Sequence, residues 1–216
     1  MHKSSGRRTV GPLAVFAASV ALFAGCGGSG VALPQDPAAA LRAVQSAVDR
    51  SGGYTLDVEQ SNFVLPRWGG SDSGNVGVDG KGTAALARLA RTGEPDATYA
   101  IVLVDGVTYF TRSTCQDSFR VPGGSADVLS PFLFTKTQSL AKASNPRREG
   151  DTIFATMDSL GPVTISVDPK TNRPTLITGS TTSGPFSWQF SAWGRAPSVS
   201  PPAGRIADRG PGGVPC

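Results

Sequence analysis

This chain of 216 residues offers little for covalent chemistry: three cysteines, Cys26, Cys115 and Cys216, and one histidine, His2. His2 stands in a stretch with the marks of an export signal. Met1 to Arg8 carries Lys3, Arg7 and Arg8 and no acid, and Pro12 to Ala24 runs thirteen residues without a charge. That run is too short to cross a bilayer, which takes about 20 apolar residues. A chain cut after Gly25 keeps no imidazole. This excludes Ser-His-Asp and Cys-His catalysis and any His-ligated zinc. No P-loop, dinucleotide fingerprint, EF-hand loop or HExxH run occurs either. Asp57, Glu59, Asp151 and Asp158 are the carboxylates with spacing for a catalytic pair. They fall on the solvent faces of expected strands, where a carboxylate is ordinary surface. The reading is a protein that is not an enzyme and holds no metal or cofactor.

Cys26 has its own chemistry. In "SVALFAGCGGSG" it follows the apolar run directly, with Ala24 and Gly25 before it and Phe23 at the third position back. The arrangement resembles a lipobox, the bacterial lipoprotein signal, whose cysteine is acylated and becomes the first residue of the mature chain. Each buried methylene contributes roughly 0.8 kcal/mol, and one acyl chain alone binds only reversibly. The two or three chains of a lipoprotein cysteine hold stably. The expected place is the extracytoplasmic face of the cell membrane, anchored through Cys26. "GGSGVALPQDP" then reads as a flexible tether.

Removing residues 1–25 also changes the charge. Three of the 20 Lys and Arg leave and none of the 16 Asp and Glu, so 17 bases face 16 acids. A near-neutral mature chain gives no argument for a nucleic-acid partner. Cys115 and Cys216 remain, and an even pair in an exported protein suggests a disulfide tying the last residue to the body. Two free thiols, or Cys216 reaching another molecule, are the alternatives. The 27 glycines and 17 prolines predict many turns between short strands.

Asp36 and Pro37 open a helix as cap and first residue. Leu41, Val44 and Val48 give it one apolar stripe, and Ser51-Gly52-Gly53 stops it. "YTLDVEQ" alternates as a half-buried strand. "SNFVLPRWGGSDSGN" reads as a loop. "TAALARLAR" is ambiguous, helical by propensity but short. "YAIVLVDGVTYF" is a hairpin about Asp105-Gly106, and a short strand follows in "TCQDSFRVP". Ser130-Pro131 opens a second expected helix, "SPFLFTKTQSLAKAS". Four strands close the fold: "DTIFATMD", "GPVTISVD", "RPTLITGST" and "PFSWQFSAW". The expected class is α+β: a curved antiparallel half-barrel sheet of about 8–9 strands, with two or three helices covering its concave face. The segments are a signal at 1–25, a tether at 26–35, the domain at 36–194 and a Pro/Gly-rich tail at 195–216.

"YAIVLVDGVTYF", the expected helix after "SPFLF", the strand "GDTIFATMD" and the closing "FSAWGRAPSVSPP" together resemble the LppX/LprG-type bacterial lipoproteins, whose fold is similar to the LolA/LolB carriers. Trp193-Gly194, Val199 and Pro201 match that family's ending. The resemblance implies that "TAALARLAR" is a strand. It also implies an apolar cavity between sheet and helices, taking the acyl chains of lipids or lipoglycans for carriage to the outer envelope, with an envelope transporter as partner. The short connection between "FATMD" and "VTISVD" lacks the helical insertion of larger members, which implies a smaller cavity or none.

The residues expected to line such a cavity are Leu41, Val44 and Val48 on the first helix and Phe132, Leu133 and Leu140 on the second. From the sheet come Leu56, Val58, Ile101, Leu103 and Tyr109, then Phe154, Ile165, Leu176, Trp188 and Phe190. For each, ordinary core packing is the competing reading. A different function competes as well: a surface-anchored interaction module with a packed core, touching its partner through Phe63, Leu65 and Trp68.

Overall fold

The computed structural model describes residues 32–61, 71–115, 117–121, 129–134 and 139–208. Cys26, Phe63, Leu65, Trp68 and Cys216 lie outside the described residues.

One helix, α1 (Pro37–Asp49), begins as expected. The Asp36 carboxylate accepts from the Ala39 N–H at 2.6 Å, satisfying a donor that the helix itself cannot. Leu41, Val44 and Val48 are buried along one face.

Twelve strands form one sheet. They are β1 (Gly53–Ser61), β2 (Ser71–Asp79), β3 (Ala85–Arg91), β4 (Glu94–Val104), β5 (Val107–Arg112), β6 (Ser118–Val121), β7 (Ser144–Glu149), β8 (Thr152–Met157), β9 (Gly161–Asp168), β10 (Arg173–Thr181), β11 (Gly184–Trp193) and β12 (Ile206–Asp208). Their order is β12-β6-β5-β4-β3-β2-β1-β11-β10-β9-β8-β7. The sheet is open, with β12 and β7 at its edges. Every pairing is antiparallel except β12 on β6.

The Asp105-Gly106 hairpin is present, with φ of 52° and 75° at the two turn residues. Both values lie in the left-handed region that Asp and Gly tolerate. "TAALARLAR" is strand β3, its buried and exposed residues alternating.

Three strands exceed the expected 8–9. β2 came from the presumed loop: it presents Asp72, Gly74, Val76 and Val78 inward, and its small and polar residues hide the alternation. At Gly74 a Cβ would stand 2.1 Å from the Arg88 carbonyl, so only glycine lets β3 approach there. β7, "SNPRRE", is a polar edge strand containing a proline, as edges tolerate. β12 lies in the presumed tail.

The helix count is corrected downward: α1 is the one α-helix among the described residues, against two or three expected. The described parts of "SPFLFTKTQSLAKAS" are two three-residue 3-10 turns, Ser130–Phe132 and Leu140–Lys142. Leu129, Pro131, Phe132, Leu133 and Phe134 are all buried, so there is no wet face to make an amphipathic helix. Their backbone groups are also captured by side chains, which competes with a helical ladder.

The tether and tail expectations change at their ends. Leu33 is buried in the core. The Arg148 guanidinium donates to the Leu33 and Pro34 carbonyls at 3.1 and 2.6 Å, fixing the chain where it enters the fold. The chain after β11 lies against the sheet. Pro197 sits where a Gly77 Cβ would be 3.2 Å away, and further on the Ser118 N–H donates to the Arg205 carbonyl at 3.0 Å.

Candidate functional site

The two faces of the sheet differ in chemistry. The face toward α1, the inner face, carries one continuous apolar cluster. Thirteen of the sixteen expected lining residues belong to it: Leu41, Val44, Val48, Leu56, Val58, Ile101, Leu103, Phe132, Leu133, Leu140, Ile165, Trp188 and Phe190. The other three are placed differently. Tyr109 pairs with Val102 and Arg120, one residue out of step with the inward Phe110. Phe154 pairs with Thr164, and the Arg147 guanidinium covers its ring at 4.8 Å. Leu176 pairs with Gln189 and Ser166, opposite in sense to the inward Ile177. All three project from the outer face. For Leu176 the cause is local: a bulge between Pro174 and Leu176 shifts the register, and one residue of slip turns a side chain to the other face.

Aromatic rings concentrate where β1 meets β11. Tyr54, Phe186, Trp188 and Phe190 rise from these strands, and Phe132 and Phe134 press on them from the segment above. The Trp188 ring lies 4.8 Å from Phe132, 4.5 Å from Phe186 and 6.1 Å from Phe134, centroid to centroid. Tyr54 lies 6.1 Å from Phe134 and 5.6 Å from Phe190. Residues 129–134 therefore act as a plug seated in the sheet.

Two polar side chains pin that plug from beneath. The Tyr54 hydroxyl donates to the Phe132 carbonyl at 2.5 Å and accepts from the Phe134 N–H at 2.9 Å. The Gln45 amide on α1 donates to the Phe134 carbonyl at 3.0 Å and accepts from the Leu140 N–H at 2.7 Å. Burial pushes the Tyr54 hydroxyl well above its ordinary range, against the lowering pull of the Phe134 N–H. It stays protonated, as its donated bond requires. Neither Tyr54 nor Gln45 was singled out as a clamp from sequence; a tyrosine and a glutamine at inward positions of otherwise apolar stripes were the available signal.

The inner face turns polar at one end. Gln60 pairs across β1–β2 with Asp72, which pairs across β2–β3 with Arg91. The Asp72 and Arg91 side chains are 0% and 1% exposed and stand 3.8 Å apart. Beyond them Glu94 binds Arg112 at 2.9 Å and takes the Tyr99 hydroxyl as a donor. A groove of about 400 Å³ opens at this rim, lined in part by Gln60, Asp72, Thr92 and Phe186. A second groove, about 630 Å³, lies toward β7, with Arg147, Phe154, Thr164 and Phe186 among its walls. Both volumes fall within the range of small-molecule sites.

The Asp57 carboxylate is taken by Asn75, and Glu59, Asp151 and Asp158 are exposed. Among the described residues no group of three or more His, Cys, Asp or Glu could hold a metal ion, and no helix is long and apolar enough to cross a membrane. Cys115 sits in the turn after β5, its N–H donating to the Arg112 carbonyl at 2.9 Å.

No family profile matches this chain, and no curated protein matches it by sequence. Solved structures do. LprF from Mycobacterium bovis superposes with a TM-score of 0.50 at 12% identity, over 81% of this chain and 100% of the other. The Mycobacterium tuberculosis lipoprotein LppX gives 0.47 at 15% identity, over 76% and 97%. A LolA superfamily protein from Nitrosomonas europaea gives 0.34 at 8%, over 71% and 92%. The chain shares the fold of LprF.

Proposed function

We propose that this protein binds the acyl chains of lipids or lipoglycans on its inner face, anchored to the extracytoplasmic side of the membrane through an acylated Cys26, and carries them toward the outer envelope. The observation that carries the reading is the plug. Part of the apolar sheet face is covered here by irregular chain, whose described backbone is held by its own tight turns and by Tyr54 and Gln45. Leu129, Phe132, Leu133 and Phe134 give the face what an acyl chain would give it, so one can replace the other at little net cost in exposed apolar area. A 16-carbon chain gains on the order of 12 kcal/mol gross on leaving water, most of which the bilayer matches. An exchange between plug and chain needs only the small remainder. No catalytic group is required, in keeping with a mature chain free of histidine.

A Cys115–Cys216 disulfide belongs to the same reading. The β12–β6 pairing puts Ile206 beside Ser118, three residues from Cys115. The eight residues after Asp208 can extend by up to about 28 Å, enough to turn back to it. An envelope transporter is the expected partner that receives or delivers the lipid.

The dense ring packing on Trp188 supports the second reading, an anchored interaction module whose core admits nothing. Organic extraction separates the two. Protein purified from bacterial membranes without added lipid is extracted and the extract examined by mass spectrometry. The carrier reading expects acyl lipid in stoichiometric proportion to protein. Repeated preparations free of lipid, and a plug that solvent-exchange measurements find as protected as β1, would leave only the module.

A further inference from the structure

The rim groove is lined by a residue, Gln60, with a buried donor that the fold leaves unsatisfied. The Gln60 residue is 3% exposed. Its amide oxygen accepts from the Trp188 indole N–H at 3.1 Å. An indole nitrogen can only donate, so this bond fixes which end of the amide faces Trp188. The Gln60 Nε2 is thereby turned away from the indole, buried, and without a hydrogen-bond partner. A buried amide donor left unsatisfied costs about 1–3 kcal/mol. Leucine or methionine at this position would remove the unsatisfied amide but would also take the Gln60 oxygen away from the buried Trp188 indole N–H.

Its surroundings say what kind of acceptor fits. Gln60 stands where the apolar face ends, with Phe186 and Trp188 on one side and Asp72 on the other. Asp72 and Arg91 form a charge-balanced pair. With Arg91 already paired to Asp72, this end of the groove offers an incoming anion no net attraction, whereas a neutral carbonyl oxygen needs only a donor. We infer that Gln60 is a ligand-binding residue whose Nε2 donates to the neutral ester or amide carbonyl at the head of a bound acyl chain, fixing how deep the chain sits. This rests on the acyl-binding reading above and adds to it a polar end-stop for the head of the chain.

The test uses the mature chain and two fluorescent probes. One is the methyl ester of a conjugated 18-carbon polyene acid. The other is diphenylhexatriene, a hydrocarbon with no acceptor. Binding of the wild type is compared with Gln60→Met, a variant of similar volume. The expected result is a loss of about tenfold in ester affinity, the worth of one buried hydrogen bond, with diphenylhexatriene affinity unchanged. An equal effect on both probes, or none on either, overturns the assignment and leaves the carrier reading standing; no effect is also what a buried water on Nε2 would produce. Failure of the wild type to bind either probe overturns the carrier reading and this one together. A measurement on the wild type alone guards against a variant that does not fold. The carbonyl stretch of the bound ester should lie below its position in hexane, and an unshifted band overturns the proposal.

Discussion

At the scale of single residues, Tyr54 has the widest reach. Its hydroxyl satisfies two backbone groups of the plug, Phe132 C=O and Phe134 N–H. Tyr54→Phe leaves both buried without that partner. We expect a loss of about 2–3 kcal/mol in denaturant unfolding, together with faster uptake of an acyl probe by stopped-flow fluorescence, since the plug is held less tightly. A variant as stable as the wild type would show that Tyr54 does not hold the plug. The same residue predicts behaviour in alkali. Burial raises the Tyr54 hydroxyl far above its ordinary 10.0. Burial and the bond to Glu94 push Tyr99 up to about 12. In the unfolded chain both ionise near 10, so their contribution to stability is whole below pH 10 and is lost as pH rises through the folded values. Unfolding free energy should therefore fall above pH 10, and fall less steeply in Tyr54→Phe. Parallel curves for the two proteins would contradict this.

At the scale of elements, the C-terminal segment behaves as a strap across the outer face. It begins over Gly77 and ends at β6. Gly77, Leu86, Val102, Tyr109 and Arg120 are paired one to the next in a row across β2 to β6. In the strap Pro197, Val199 and Pro202 are half-buried among exposed neighbours, so it lies on this row in extended form. Val102 and Tyr109, 8% and 7% exposed, belong to the outer face and not to the core cluster. Deleting residues 195–216 should uncover them and free the β6 edge. The expected cost is about 2–3 kcal/mol, from side-chain burial alone, with self-association through the open edge seen in sedimentation. Cys115→Ser is the control that separates the strap from any disulfide. If Cys115→Ser reproduces the whole loss, the pairing of β12 contributes nothing of its own.

At the scale of the whole molecule, the proposed anchor at Cys26 would decide how the sheet meets the membrane. Arg148 on β7 holds the Leu33 and Pro34 carbonyls. Leu33 stands seven positions after Cys26, a reach of about 25 Å. An anchor at Cys26 would thus tether the β7 edge close to the bilayer and leave the β12 edge the far one. Cys26→Ser should move the protein from the membrane fraction to the soluble one while leaving its melting temperature within about 1 °C, because surface changes far from the core are nearly neutral. A variant that still sediments with membranes would place the anchor elsewhere.

The sequence by itself determined the elements whose periodicity is strong. Asp36-Pro37 with Leu41, Val44 and Val48 specified α1; Asp105-Gly106 specified the hairpin; the alternation of Tyr54, Leu56 and Val58, and of Phe186, Trp188 and Phe190, specified two central strands. It also determined the chemistry available, since the absence of histidine downstream of residue 2 is a property of composition. Three strands became legible only in the tertiary structure: β2, β7 and β12 are too polar, too small or too short to form without neighbours to pair with. The sides taken by Tyr109, Phe154 and Leu176 depended on register, and a bulge near Leu176 has no mark in composition. The plug depended on it too, for "SPFLF" carries helix-like signals until Tyr54 and Gln45, distant in the chain, take the backbone groups a helix would use. Local pattern decides where a segment prefers to bend or extend; only the partners that folding brings together decide which of its hydrogen bonds are already spoken for.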